Sequence, residues 1–230
     1  MAKSQPSAVV GDVRGKIGGH VHTKGRYGMV IRTKVSPVQP RTSFQRTIRS
    51  RFTGLSKGWS ALATDALRSA FDAFARANPI KDVFGNTRTL TGHQMYLRLN
   101  AVILQCGGTA ITAPPLSLSI AEPTTVAVTA LVGSPGSVCV TVTGPPLSNS
   151  HAEVWGARPM SAGRKFVGSA YRLLHVFGKA VAGPYYVDPY WEDRLGKLVG
   201  GQKIRVLVKY ADELTGAQGL GVEASCLATI

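Results

Sequence analysis

Ile204-Arg-Val-Leu-Val-Lys-Tyr210 decides the fold class of the C-terminal half. Ile204, Val206, Val208 and Tyr210 alternate with Arg205, Leu207 and Lys209. Residues two apart share one face of a strand, so this run predicts a strand with one apolar side. Outward from it, the same period recurs at Val138, Val140 and Val142, separated by Cys139, Thr141 and Thr143. Val222, Ala224, Cys226, Ala228 and Ile230 repeat it, as do Leu116, Leu118 and Ile120 among serines. Asp212-Glu-Leu-Thr-Gly216 has turn chemistry and would join the last two strands as a hairpin. Short strands with Gly/Pro turns between them predict an antiparallel, immunoglobulin-like β-sandwich over residues 116–230.

Upstream of it the period lengthens. Thr42-Ser-Phe-Gln45 has capping-box spacing, and Phe44, Ile48, Phe52, Leu55 and Trp59 follow as one helical stripe. Arg46 and Arg49 lie off that stripe, so the helix is expected to bury one side and show a basic other side. A second helix is expected from Thr64 or Asp65, with Leu67, Phe71 and Phe74 inward, ending near Asn78-Pro79. A third begins with the capping-box spacing Thr91-Gly-His-Gln94. It carries Tyr96, Leu99 and Ile103 inward and ends at Gly107-Gly108. Between these two helices, Gly85-Asn86 marks a turn. The predicted class is α+β. Its parts are a basic Gly-rich extended arm or β-ribbon (1–40), a helical unit (41–106), a linker (107–115) and the sandwich (116–230). Within the arm, Gly28-Met-Val-Ile-Arg-Thr-Lys-Val35 reads as extended, and Pro37 and Pro40 end that part.

Charge separates the halves. The net charge is +15 over 230 residues. Residues 1–105 hold 17 Lys/Arg against 4 Asp/Glu, and residues 106–230 hold 10 against 8. Between Asp12 and Asp65 there is no acidic residue at all. Unmixed charge repels itself and weakens a compact state, so a one-signed segment points to a polyanion or an acidic partner surface. The candidate polyanion-binding residues are Arg14, Lys16, Lys24, Arg26, Arg32, Lys34, Arg41, Arg46, Arg49 and Arg51. Each phosphate they neutralise releases counterion, which makes such binding salt-sensitive. The aromatics of the helical region fall on core stripes, so stacking on single-stranded bases is not expected. No helix-turn-helix spacing is visible either.

Other chemistries find little footing. With 44% apolar residues, wholesale disorder is not expected. Cys106, Cys139 and Cys226 have no CxxC spacing, and they read as buried free thiols. Met-Ala-Lys-Ser-Gln-Pro-Ser lacks the apolar core of a signal peptide, and no apolar run is long enough to span a bilayer. Gly11-Asp-Val-Arg-Gly15-Lys16 is one residue too short for a phosphate-binding loop and has Ile17 where Ser or Thr is needed. His20 and His22 share a strand face without further ligands nearby. Asp188, Glu192 and Asp193 stand beside Tyr185, Tyr186, Tyr190 and Trp191. That stretch reads as a loop whose aromatics cap the sandwich, with a glycan-active site as the sharper reading. No catalytic constellation, cofactor or metal site is expected.

The motifs Gly15-Lys-Ile-Gly-Gly19, Arg26-Tyr-Gly28, Ile31-Arg-Thr-Lys34, Val35-Ser-Pro-Val38, Pro40-Arg-Thr42 and Trp59-Ser-Ala-Leu62 carry a further signal. So do Asn78-Pro79, Phe84-Gly-Asn-Thr-Arg88, Leu90-Thr-Gly92 and Tyr96-Leu-Arg-Leu-Asn100. Over residues 11–105 the chain resembles a family of uncharacterised phage and prophage structural proteins, with Phe71 or Phe74 where many members have tryptophan. The resemblance implies a virion protein made in the host cytoplasm. Its partners would be other copies of itself, other virion proteins, and packaged nucleic acid or an acidic protein surface, with no membrane. The alternative is a non-specific DNA-binding architectural protein in the infected cell, and a weaker one is a glycan-active enzyme.

Overall fold

The computed structural model describes residues 2–4, 13–26, 28–34, 39, 41–62, 64–82, 84–133, 138–144, 149–164, 170–178 and 184–229. These form a mixed α+β protein with four helices and several antiparallel sheets. The chain divides into two compact units, residues 1–50 with 79–89, and residues 51–78 with 90–230. Gly11, Asp12, residues 35–38, Pro40 and Ile230 lie outside the described residues, and with them parts of the loop, proline and last-strand expectations.

The first unit is built on a four-stranded antiparallel sheet. Its strands are β1 (Ala2–Ser4), β2 (Gly15–Ile17), β3 (His20–Gly25) and β4 (Gly28–Thr33), in the order β1-β4-β3-β2. Gly18, at φ 56°, turns β2 into β3. Met29 is the one buried residue among the described side chains of this sheet, so apolar packing contributes little here. A second hairpin pairs β5 (Ile80–Lys81) with β6 (Thr87–Arg88). The Asp82 carboxylate shapes its turn by accepting from the Phe84 and Asn86 amides at 2.8 and 3.2 Å. Helix α1 (Ser43–Ser60) starts in this unit and runs into the other.

In the second unit, α2 (Asp65–Ala77) and α3 (Gly92–Gln105) pack with the last turns of α1 around Leu55, Leu62, Phe71, Ala75, Met95, Tyr96 and Leu99. Trp59 sits among Phe71, His93 and Tyr96, with ring centroids 5.4 to 5.9 Å away. Both halves of the capping box at Thr91 and Gln94 are formed. At its other end α3 closes with the paired bonds of a Schellman motif, Gly108 N–H to Ile103 O and Gly107 N–H to Leu104 O. Fully buried Asn100 then fastens the chain that follows. Its side chain donates to Ile111 O at 3.2 Å and accepts from Ile111 N–H at 2.6 Å.

Two antiparallel sheets share the larger core. One orders β11 (Tyr185–Tyr186), β8 (Val138–Thr143) and β7 (Thr125–Ala130). The other orders β10 (Arg172–Phe177), β9 (Ser150–Gly156), β12 (Lys203–Asp212) and β13 (Val222–Leu227). Val138 and Val140 of β8 share this core with Ile204, Val206 and Val208 of β12, all with no exposed surface. Full burial of each such side chain is worth about 1.5–3 kcal/mol. Past β7, the Val132 amide bonds Thr229 O and the Thr229 amide bonds Ala130 O, a parallel link that ties the first strand to the far sheet. Leu116–Ile120 forms no strand, contrary to the alternation. Leu116 is fully exposed and Leu118 packs on the helical cluster, so this run has no ladder partner to hold it extended.

Candidate anchoring surface

All ten candidate basic residues are exposed. They fall on three kinds of element. On the ribbon, register pairs Lys16 with Val21 and Val21 with Arg32, so the two cations flank one apolar residue in a row across a single face. Lys24 stands across from Met29 on the opposite face, which also carries His20, His22 and Ile31. Arg14, Arg26 and Lys34 lie just outside the strands. The shared face of His20 and His22 matches their spacing, and no group of His, Cys, Asp or Glu among the described residues could hold a metal ion.

Arg41 precedes α1 with φ 50°, and Arg46, Arg49 and Arg51 lie on it. The Thr42 hydroxyl accepts from the Gln45 amide at 3.3 Å, half of the expected box. The other half is missing, because Gln45 Oε1 has no hydrogen-bond partner. At 3.6 residues per turn, Arg46, Arg49 and Lys57 share one side, and Arg51 borders the apolar stripe. Arg49 is steadied by a 2.7 Å bond to Gln39 Oε1.

The stripe itself departs from expectation. Leu55 is buried and Trp59 half-buried, yet Phe44, Ile48 and Phe52 are 54%, 44% and 58% exposed. The reason is reach, since the α2–α3 core takes in only the last two stripe positions. A shallow groove of about 580 Å³ lies beside Phe52, lined also by Thr53, Ser56, Lys57, Ser60 and Ala61. Helix α1 thus carries exposed apolar side chains and exposed cations together, with no acidic residue along it.

The aromatic stretch near Asp188 has a structural job. It forms a short helix, α4 (Asp188–Leu195), where a loop was expected. Trp191 is fully buried in the core shared by the two sheets, and the Asp188 carboxylate accepts a bond from the Val138 amide of β8. Glu192 and Asp193 are exposed. A polar cluster that no sequence pattern marks lies where α3 meets the sheet. There Glu153, fully buried, accepts from Gln105 Nε2 at 2.7 Å, Gln218 Nε2 at 2.6 Å and Trp155 Nε1 at 3.1 Å. His151 bonds Glu213 at 2.9 Å nearby. Burial, followed by the charges of Glu153, Glu213 and Asp212, pushes the Cys106 thiol up to about 12, so it is no nucleophile near neutral pH. Cys106, Cys139 and Cys226 are all free, the first buried and the others half-buried.

Set against known proteins, the chain matches no family model, no curated protein and no solved structure.

Proposed function

We propose that this is a structural protein of a bacteriophage particle, capsid-associated or connecting, whose basic N-terminal half anchors it during assembly. The observation that carries the reading is α1, where Ile48 and Phe52 are exposed on the same helix as Arg46, Arg49 and Arg51. Exposed apolar side chains at helical spacing suit docking into a protein groove, and a rim of cations favours an acidic groove. Naked nucleic acid would use the cations and leave the apolar stripe wet. The resemblance of residues 11–105 to phage and prophage proteins supplies the particle context.

The C-terminal sandwich is read as immunoglobulin-like and serves as a spacer or inter-subunit module. Its support is the strand order, in which the first, second and fifth strands of the sandwich make one sheet and the fourth, third, sixth and seventh the other. It departs from antibody domains in having no inter-sheet disulfide, and its core tryptophan comes from α4.

Mass spectrometry of gradient-purified particles from a host carrying this gene tests the proposal. The chain is expected in the particles, and loss of an Ile48→Ser/Phe52→Ser variant from them should accompany unchanged folding. Recovery only in the soluble lysate would overturn it. The second reading, a DNA-binding architectural protein, rests on the Lys16–Val21–Arg32 row of the ribbon. It requires duplex binding by the free chain that weakens steeply with salt.

A further inference from the structure

The shallow groove of about 580 Å³ beside Phe52 runs along the exposed side of α1. At 3.6 residues per turn, Thr53, Ser56 and Ser60 fall between Phe52 on one rim and Lys57 on the other. Arg49 stands one turn before Thr53 in the same row. The Ser60 hydroxyl bonds back to Ser56 O at 3.3 Å, so it asks for no partner in the groove.

Charge and apolar surface meet at this groove. Phe52 is 58% exposed. Arg49 and Lys57 are both exposed, and the bond from Arg49 goes to the neutral Gln39 amide, which leaves its charge uncompensated. At the far end, Arg68 donates to Ser60 O at 3.1 Å and pairs with Asp65 at 3.2 Å, so that carboxylate already has its cation. Eight residues of helix at 1.5 Å each set Arg49 and Lys57 about 12 Å apart along the axis.

We infer that the cover of α1 is an acidic amphipathic helix of another protein, laid along this groove with two carboxylates about two turns apart. The inference rests on the docking role proposed for α1 and names its occupant. Two turns advance about 11 Å, which matches the spacing of Arg49 and Lys57. Carboxylates flanking a helix–helix seam pair with cations on the facing helix, and apolar side chains between them close on Phe52. The short side chains of the floor admit a second helix at about 8–10 Å between axes. A second copy of α1 would bring the same cations to the same rims and is repelled.

Fluorescence anisotropy of the full chain with three labelled peptides of equal length and charge tests this. The first is a helix former with glutamates seven residues apart beside a leucine stripe. The second has the same composition without the stripe, and the third is a flexible Glu/Ser chain. The first should bind saturably and about tenfold more tightly than the others. Thr53→Trp fills the groove without altering charge, so it should weaken the first peptide about tenfold and leave the third unchanged. Lys57→Gln should weaken the first about threefold, the scale of an exposed ion pair. Both side chains are exposed, so the thermal midpoint should hold in each variant. No binding of the first peptide, or indifference to Thr53→Trp, would overturn the inference. Equal binding of all three would also overturn the helical occupant, yet it would leave an acidic partner for α1 in place. The docking role itself fails separately, through absence of the chain from purified particles.

Discussion

Helices α1 and α3 open with the same sequence device, Thr-x-x-Gln, and both carry an apolar stripe at helical spacing. Their fates differ. Helix α3 buries Met95, Tyr96, Leu99 and Ile103 almost completely, and its capping box is closed on both sides. Helix α1 buries Leu55 alone, and its box is half made. An amphipathic pattern states that a helix has a face to cover and does not state what covers it. In α3 the cover is α2 and the sheet. For Ile48 and Phe52 of α1, we assign it to an acidic partner.

The contrast breaks most visibly under core truncation. Leu99→Ala, at a fully enclosed position, should cost about 2–5 kcal/mol in urea unfolding. Phe52→Ser should cost less than about 0.5 kcal/mol, as for other surface changes. Equal losses would mean that the stripe of α1 is a core element of the free chain.

A somewhat smaller effect is expected where α3 meets the sheet. Glu153→Ala removes the acceptor for Gln105, Trp155 and Gln218, and orphaned buried donors cost about 1–3 kcal/mol. Chemical unfolding of the variant should show that loss, and an unchanged midpoint would mean water replaces the carboxylate freely. The same seam can be watched through Cys106. In native protein a thiol reagent should leave it untouched while labelling half-buried Cys139, and urea should expose it together with α3. Rapid native labelling of Cys106 would place α3 away from the sheet.

The smallest effect is one of pH. His175 stacks on Tyr190 with centroids 4.0 Å apart, and burial, then the charge of Arg194, hold its imidazole below the usual value. The unfolded chain therefore takes up this proton first as pH falls, and the native state loses relative stability from about pH 6.5 down through the lowered value. Above about 6.5 both states are neutral and the group has no effect. His175→Gln should flatten that part of the stability profile. An unaltered slope would show that another group titrates there.

Strands β8 and β12 could be read in advance because each has one inward side and one mixed side, which alternation displays. Strand β9 could not, because six of its seven residues are buried and both of its faces are covered. Its Glu153 depends on Gln105 and Gln218, 48 and 65 residues away, and no local pattern joins such partners. Helix α4 is too short to show a period, and only Asp188-Pro189 marks its start. The basic residues were legible as composition. That they share α1 with exposed Ile48 and Phe52 was not, because the spacing of a stripe is the same whether a neighbour covers it or not.

Amide hydrogen exchange along α1, in the free chain and in assembled particles, tests the docking role most directly. Slower exchange in particles across residues 43–54, with little change in α3, is the expected result. Equal exchange of α1 in the two states, with new protection confined to the sandwich, would contradict it.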